Sequence, residues 1–172
     1  MKVSDYIAGF LKERVANAFG VQGGAVVHLF DSCERMGPKP IYCHHEQAAG
    51  FAATAYARIH GFGVCITTTG PGSTNALTPL LGAWQDSVPC LFISGQQRAA
   101  HTSYGKPVRQ VGAQEAPIVD IVKPMVKTAN LALDAEHAEI GLKHAVITML
   151  EGRPGPVWLD IPQDVLWATL PT

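Results

Sequence analysis

The hydrophobic positions of the chain follow two periods in turn, one typical of helices and one typical of buried strands. Helical spacing predicts helices over residues 4–19, 45–60, 73–85, 114–122 and 134–150. Short, nearly continuous apolar runs predict strands near residues 25–30, 40–44, 64–69, 90–94, 125–129 and 157–161. Strands that alternate with helices and have no polar face are typical of a parallel sheet covered on both sides. The pattern therefore predicts a three-layer α/β/α fold with a mainly parallel sheet of about six strands.

The composition is that of one folded domain with a thinly charged surface. The chain has 172 residues, of which 47% are hydrophobic and only 16% are charged, against about 25% charged in an average domain. We therefore expect a subunit that buries one face against another chain. The net charge of −1 favours neither nucleic acid nor a membrane surface as partner. The four cysteines form no CxxC pair, which indicates reduced thiols and a cytoplasmic location.

A carboxylate lies where a predicted strand gives way to an alanine-rich helix. The segment reads His44-His45-Glu46-Gln47, and the helix that follows has no charged residue before Arg58. One interpretation is a helix-start glutamate, which the helix dipole favours. The other is a carboxyl in a dry environment, where it can share a proton near neutral pH. We predict no metal site here, because adjacent residues of a strand point to opposite faces and no further ligands lie nearby in sequence.

A glycine-rich turn follows the strand near residues 64–69. The segment Gly70-Pro71-Gly72-Ser73-Thr74-Asn75 joins this strand to a helix, a context in which backbone amides can bind phosphate. However, Asn75 occupies the position of the third glycine in a GxGxxG pattern, and a nucleophile elbow is absent. Spacing alone therefore favours a tight turn and disfavours a dinucleotide-binding domain.

Taken in order, six blocks of sequence closely resemble the N-terminal pyrimidine-binding domain of thiamine diphosphate enzymes, in the acetolactate synthase and pyruvate oxidase branch. The blocks occupy residues 19–24, 44–58, 69–75, 93–96, 114–115 and 155–162. The resemblance covers essentially all of residues 1–172, which we expect to form a single domain.

The resemblance assigns roles to individual residues. Glu46 occupies the position of the glutamate that hydrogen-bonds nitrogen N1′ of the aminopyrimidine ring, so it is the expected catalytic residue. The expected cofactor-binding residues are Glu46 together with Gly23, Gly24, Pro71, Asn75 and Gln114. Gln114 would also face the reacting centre.

Two departures from the acetolactate synthase pattern concern the substrate pocket, which by resemblance includes Ala113, Gln114 and Gln163. Ala113 replaces a phenylalanine and Gln163 replaces a lysine, which enlarges the pocket and removes a positive charge. The resemblance implies decarboxylation or carboligation of a 2-keto acid such as pyruvate. The departures, with a long loop over residues 97–112, keep open the transfer of a two-carbon unit to a keto-sugar or another bulky acceptor.

One part of the family pattern is absent from these residues. The sequence has no Gly-Asp-Gly motif, the signature of the domain that binds the diphosphate and Mg²⁺. The resemblance therefore implies that the central and diphosphate-binding domains lie outside this chain, in cis or in trans, and that the chain alone is inactive. It also implies a homodimer or larger oligomer, with FAD as a possible further cofactor. A non-catalytic interaction domain remains the alternative from another class.

Overall fold

The computed structural model describes residues 1–171 of the chain. Its helices are α1 (Val3–Lys12), α2 (Val27–Met36), α3 (Glu46–His60), α4 (Pro71–Thr74), α5 (Leu77–Gln85), α6 (Ile118–Val122), α7 (Ala135–Leu150) and α8 (Gln163–Trp167). Its strands are β1 (Asn17–Gly20), β2 (Lys39–Tyr42), β3 (Gly63–Thr67), β4 (Cys90–Gln96), β5 (Ala129–Leu131) and β6 (Val157–Pro162).

The strands form one sheet in the order β2-β1-β3-β4-β6-β5, and every pair of neighbours is parallel. Strands β3, β4 and β6 are buried along their whole length, as expected for strands with helices on both sides. The predicted three-layer α/β/α fold is confirmed.

Two separate hydrophobic clusters lie on the two faces of the sheet. Helices α1, α2, α7 and α8 contribute to the first cluster, and helices α3, α5 and α6 contribute to the second. In the second, the rings of Phe92 and Trp158 stack with centroids 5.3 Å apart and planes 5° from parallel. Side chains of successive strand residues alternate between these clusters, because the strand period is two.

The prediction of a strand at 25–30 and of one helix over 4–19 is wrong. The apolar run belongs to a short 3₁₀ turn and the start of α2, whose buried residues include Leu29, Phe30 and Cys33. Helical spacing becomes visible only when the window extends to Cys33. The end of the predicted helix is instead β1, which lies between β2 and β3, with Phe19 opposite both Ile41 and Cys65.

The other boundaries move by a few residues. Helix α3 begins at Glu46 and ends before Gly61, close to the predicted bounds. The side chain of its N-cap His45 accepts a hydrogen bond from the Gln47 amide. The predicted helix over 73–85 is two helices, α4 and α5. Strand β5 begins at Ala129, where the predicted strand ends, and α6 is shorter than predicted.

At two places in the sheet, the connections that leave two neighbouring strands go to opposite faces. From β1 the chain leads to α2 on one face, whereas from β3 it leads to α4 and α5 on the other. The same divergence separates β4, which precedes α6, from β6, which precedes α8. Open α/β sheets bind ligands at such crevices, outside the carboxyl ends of the strands. Both crevices are therefore places to look for a site.

Residues 1–171 include no helix long and apolar enough to cross a membrane.

Three cysteines are buried, Cys43 is half-buried, and all four are free thiols. Burial raises the pKa of the Cys33 thiol to about 12, so the thiol form is favoured at neutral pH.

Candidate functional site

Glu46 lies in the crevice between β1 and β3, at the first residue of α3. Its side chain is buried, with 9% of the residue exposed. Asn75, just after α4, donates a hydrogen bond from Nδ2 to Glu46 Oε2 at 3.0 Å. Among residues 1–171, Oε1 receives no hydrogen bond from the protein, and Gly72 lies against it. The carboxyl thus keeps one oxygen for another partner.

Glycines surround this carboxyl because Thr68 leaves no room for side chains. A Cβ atom on Gly23 would lie 2.5 Å from the Thr68 Cβ, and one on Gly72 would lie 2.7 Å from Thr68 Cγ2. At Gly24, by contrast, a Cβ would meet nothing within 4 Å. The backbone therefore packs tightly beneath the crevice and is open at Gly24.

The turn after β3 interlocks with the loop that carries Gln114. Gly70 has a φ of +60°, and a Cβ there would lie 1.9 Å from the Gln114 carbonyl oxygen. Gln114 itself has a φ of +58°, a left-handed conformation that side chains seldom adopt. Pro71, Asn75 and Gln114 are all exposed. The structure thus brings together the expected cofactor-binding residues around the crevice.

Of the three residues expected in the substrate pocket, Ala113 and Gln114 lie on one turn and Gln163 lines a cavity at the start of α8. The Ala113 carbonyl accepts a hydrogen bond from Gln97 Nε2 at 2.6 Å, and Gln114 follows it on the same loop. Gln163, at the start of α8, lines a cavity of about 350 Å³ with His28, Arg98, Asp164 and Trp167. The shared substrate pocket of these three residues stays a prediction.

A buried polar network at the second crevice was not found from the sequence. Asp160 is 2% exposed; it accepts hydrogen bonds from Ser94 and, at 3.0 Å, from Gln96 Nε2. Trp158 Nε1 donates to Ser94 Oγ at 2.8 Å. Burial raises the pKa of Asp160 to about 7, and the nearby charge of Glu115 also raises it, while the two hydrogen bonds act in the opposite direction. A carboxylate within an apolar strand run is the sequence signal that points to such a network.

The long loop after β4 encloses a larger cavity beside this network. The cavity has a volume of about 590 Å³, and Asp160, Gln96 and Glu115 are among its lining residues. Burial opposes the ionisation of Glu115, but hydrogen bonds from Ser103, Val111 and Gly112 outweigh it and lower the pKa of this carboxyl. Glu115 therefore holds the loop together as a carboxylate.

Three of the histidines have structural surroundings. His45 caps α3, and the His60 ring stacks on Tyr56 at 4.1 Å between centroids. His28 packs against Trp167. No cluster of three metal-ligating side chains occurs within residues 1–171.

Comparison with known proteins identifies the family. Residues 1–122 match the family described as "Thiamine pyrophosphate enzyme, N-terminal TPP binding domain". The chain is 37% identical over 165 residues to the acetolactate synthase large subunit of Buchnera aphidicola, with 95% of this chain and 28% of that protein covered. It is 39% identical over 156 residues to the acetolactate synthase large subunit of Haemophilus influenzae, with 90% and 26% covered. It is 37% identical over 170 residues to acetolactate synthase 2 of Nicotiana tabacum, a chloroplastic protein, with 95% and 24% covered.

The chain spans about a quarter of the length of these relatives.

Proposed function

We propose that this chain, which belongs to the family of thiamine pyrophosphate enzyme N-terminal TPP-binding domains, supplies the glutamate that activates the cofactor in an acetolactate synthase-like enzyme. One observation carries the proposal. Glu46 is buried at the first crevice, is held at one oxygen by Asn75, and keeps Oε1 free of protein donors within residues 1–171. A carboxyl in this arrangement can hold a proton at Oε1 and share it with a ring nitrogen.

The described residues fit one face of an aminopyrimidine ring. Gly72 leaves Oε1 accessible, and Gly24 leaves open space at the crevice. Glu46 would hold the ring nitrogen, while Gly23, Pro71 and Asn75 would shape the wall beside it. When bound, thiamine diphosphate supplies the electron sink for decarboxylation of a 2-keto acid. The part of this chain is to bind and orient the ring and to hold the proton at Glu46.

The crevice beside Glu46 is open to solvent, which supports a partner. Gly24, Pro71 and Asn75 are exposed at the crevice. We therefore propose that a diphosphate-binding domain, with Mg²⁺, completes the site in cis or in trans, and that residues 1–172 act as one domain of that enzyme in the cytoplasm.

Apolar side chains on the adjacent helices support a homodimer through this domain. Phe51 is 48% exposed on α3, and Leu81 and Trp84 are each 40% exposed on α5, which packs against α3. Removal of such area from water stabilises an interface by about 25 cal/mol per Å².

Replacing Phe51 by Glu should therefore weaken dimerisation. We expect a chimera of this chain with the rest of the Haemophilus influenzae large subunit to sediment as a dimer or larger oligomer, and the Phe51→Glu chimera to dissociate at concentrations at least about tenfold higher. Ile147→Glu is the matched control, because Ile147 is 64% exposed on α7, on the opposite face. Equal dissociation of both variants would contradict this interface.

A product assay tests the proposed activity. In the same chimera this chain replaces the matching N-terminal 26% of the relative. With pyruvate, thiamine diphosphate and Mg²⁺, we expect acetolactate to form. Failure of a folded, oligomeric chimera to consume pyruvate would contradict the proposal and favour a non-catalytic interaction domain.

A second candidate is transfer of the two-carbon unit to a keto-sugar. Ala113, without an aromatic ring, and the long loop around the 590 Å³ cavity favour a bulky acceptor. Adding a keto-sugar to the pyruvate assay should then divert product from acetolactate to the longer sugar. Efficient acetolactate formation that the sugar leaves unchanged would rule this out.

A further inference from the structure

A series of hydrogen bonds runs from Asp160 at the second crevice to Thr69, whose hydroxyl contacts the turn that carries Gln114. Gln96 donates from Nε2 to Asp160 Oδ2 at 3.0 Å and to the Ala116 carbonyl at 3.1 Å. At its other end, Gln96 Oε1 accepts a hydrogen bond from Thr69 Oγ1 at 2.7 Å. The same hydroxyl lies 3.4 Å from the Gln114 carbonyl oxygen. Buried, fully partnered polar groups of this kind fix one arrangement of the segments they join.

The far end of this series is strained. Gln114 has a left-handed backbone although it is not glycine, and such a conformation persists only where its surroundings hold it. The Gly70 backbone lies close to the Gln114 carbonyl, and a Cβ on Gly72, two residues on, would lie 3.3 Å from Glu46 Oε1. A movement of Gln114 therefore changes the wall of the Glu46 crevice.

We infer that Asp160, Gln96 and Thr69 are positioning residues, which hold the Gln114 turn beside Glu46 from the second crevice. This inference rests on the proposed function, because the value of a fixed Gln114 depends on a cofactor bound at Glu46. The hydrogen-bond series itself is a property of this chain alone.

The hydrogen-bond donors around Asp160 determine which hydrogen bonds are lost when this carboxylate is protonated. Trp158 donates to Ser94, so the Ser94 hydroxyl donates to Asp160, and the Gln96 amide presents a second donor. A proton on Asp160 would face one of these donors and break a hydrogen bond. Protonation at Oδ2, the oxygen that accepts from Gln96, therefore releases Gln96 and, through Thr69, the Gln114 turn.

Other charged groups line the same cavity. On the loop after β4 they are Lys106, Arg109 and Glu115; Asp120 on α6 pairs with Lys123, the residue just after this helix. Because the pKa of Asp160 rises from 3.8 to about 7 on folding, the folded chain holds a proton that the unfolded chain releases. Stability should therefore fall as the pH rises through that window.

A pH titration of this chain by NMR tests the inference without cofactor or activity. We expect the carboxyl carbon of Asp160 and the backbone amides of Thr69 and Gln114 to titrate with one midpoint. Asp160→Asn should abolish that midpoint at both amides. Thr69→Val, which keeps the shape and removes the hydroxyl, should leave the titration of Asp160 and abolish the response of Gln114.

Asp120→Asn is the matched control, because it removes a carboxylate from the same cavity but lies outside the series. It should leave the Gln114 response in place. Two results would overturn the inference. In one, the Gln114 amide of the unmodified chain does not share the titration midpoint of Asp160; in the other, it still shares that midpoint in Thr69→Val. Neither result depends on whether Glu46 activates a cofactor.

Discussion

Replacing Glu46 by Gln in the chimera is expected to slow exchange of the thiazolium C2 proton of bound thiamine diphosphate by about 10²–10⁴-fold, the usual contribution of a positioned acid or base. Glutamine has the same size and can still contact Asn75, but its amide cannot hold the proton at Oε1. Exchange into deuterated water, followed by proton NMR after rapid quenching, measures the effect directly. It separates this step from decarboxylation and from product release.

Two further variants make the result specific. Glu139→Gln removes a carboxylate that pairs with Lys143 on the exposed side of α7, and it should leave exchange unchanged. Glu46→Asp keeps a carboxyl group but moves it back from the crevice by one methylene, so we expect a partial loss of the C2 exchange rate. Unaltered exchange in a Glu46→Gln chimera that still binds the cofactor would show that this carboxyl has no part in the step.

Gly63→Ala is expected to destabilise the fold by about 3 kcal/mol, at the upper end for overpacking. A Cβ at Gly63 would lie 1.9 Å from the Ala53 carbonyl oxygen and 2.7 Å from the Ala53 carbonyl carbon. These are backbone atoms of α3, so relief requires the whole helix to move away from β3. Because α3 carries Glu46 at its first residue, the same shift disturbs the crevice. Urea unfolding of the isolated chain measures the change in free energy.

Gly82→Ala is the control for this substitution. Gly82 lies inside α5, and a Cβ there would meet nothing within 4 Å. Alanine is the better helix former, so we expect a gain of about 1 kcal/mol. If Gly63→Ala were as stable as the unmodified chain, the close approach of α3 to β3 would be disproved.

The elements that could be predicted from sequence are those whose local pattern agrees with their tertiary setting. Helix α3 has an alanine-rich pattern, a cap and a terminating Gly61, and its bounds were found almost to the residue. Strands β3, β4 and β6 are apolar throughout because both faces are covered. For these segments, local preference and burial indicate the same structure.

Strand β1 shows where local pattern is insufficient. Its four residues, Asn-Ala-Phe-Gly, have little strand propensity. They form a strand because β2 and β3 offer hydrogen bonds on both sides. The close approach of β3 also requires glycine at residue 20, since a Cβ at Gly20 would lie 2.3 Å from the Ile66 carbonyl oxygen. Those partners are distant in sequence, so no local window contains the reason.

For the site, the sequence by itself determined the residue types and their order: a carboxylate opening a helix, a glycine-proline turn after a strand, and a glutamine beside a glutamate. Only the tertiary structure decided which of them meet. It placed Asn75 on Glu46, set Gln163 in a cavity with His28 and Trp167, and linked Asp160 through Gln96 to Thr69. The physical reason is that strands distant in sequence end at one edge of the sheet, where each divergence of the connections opens a crevice.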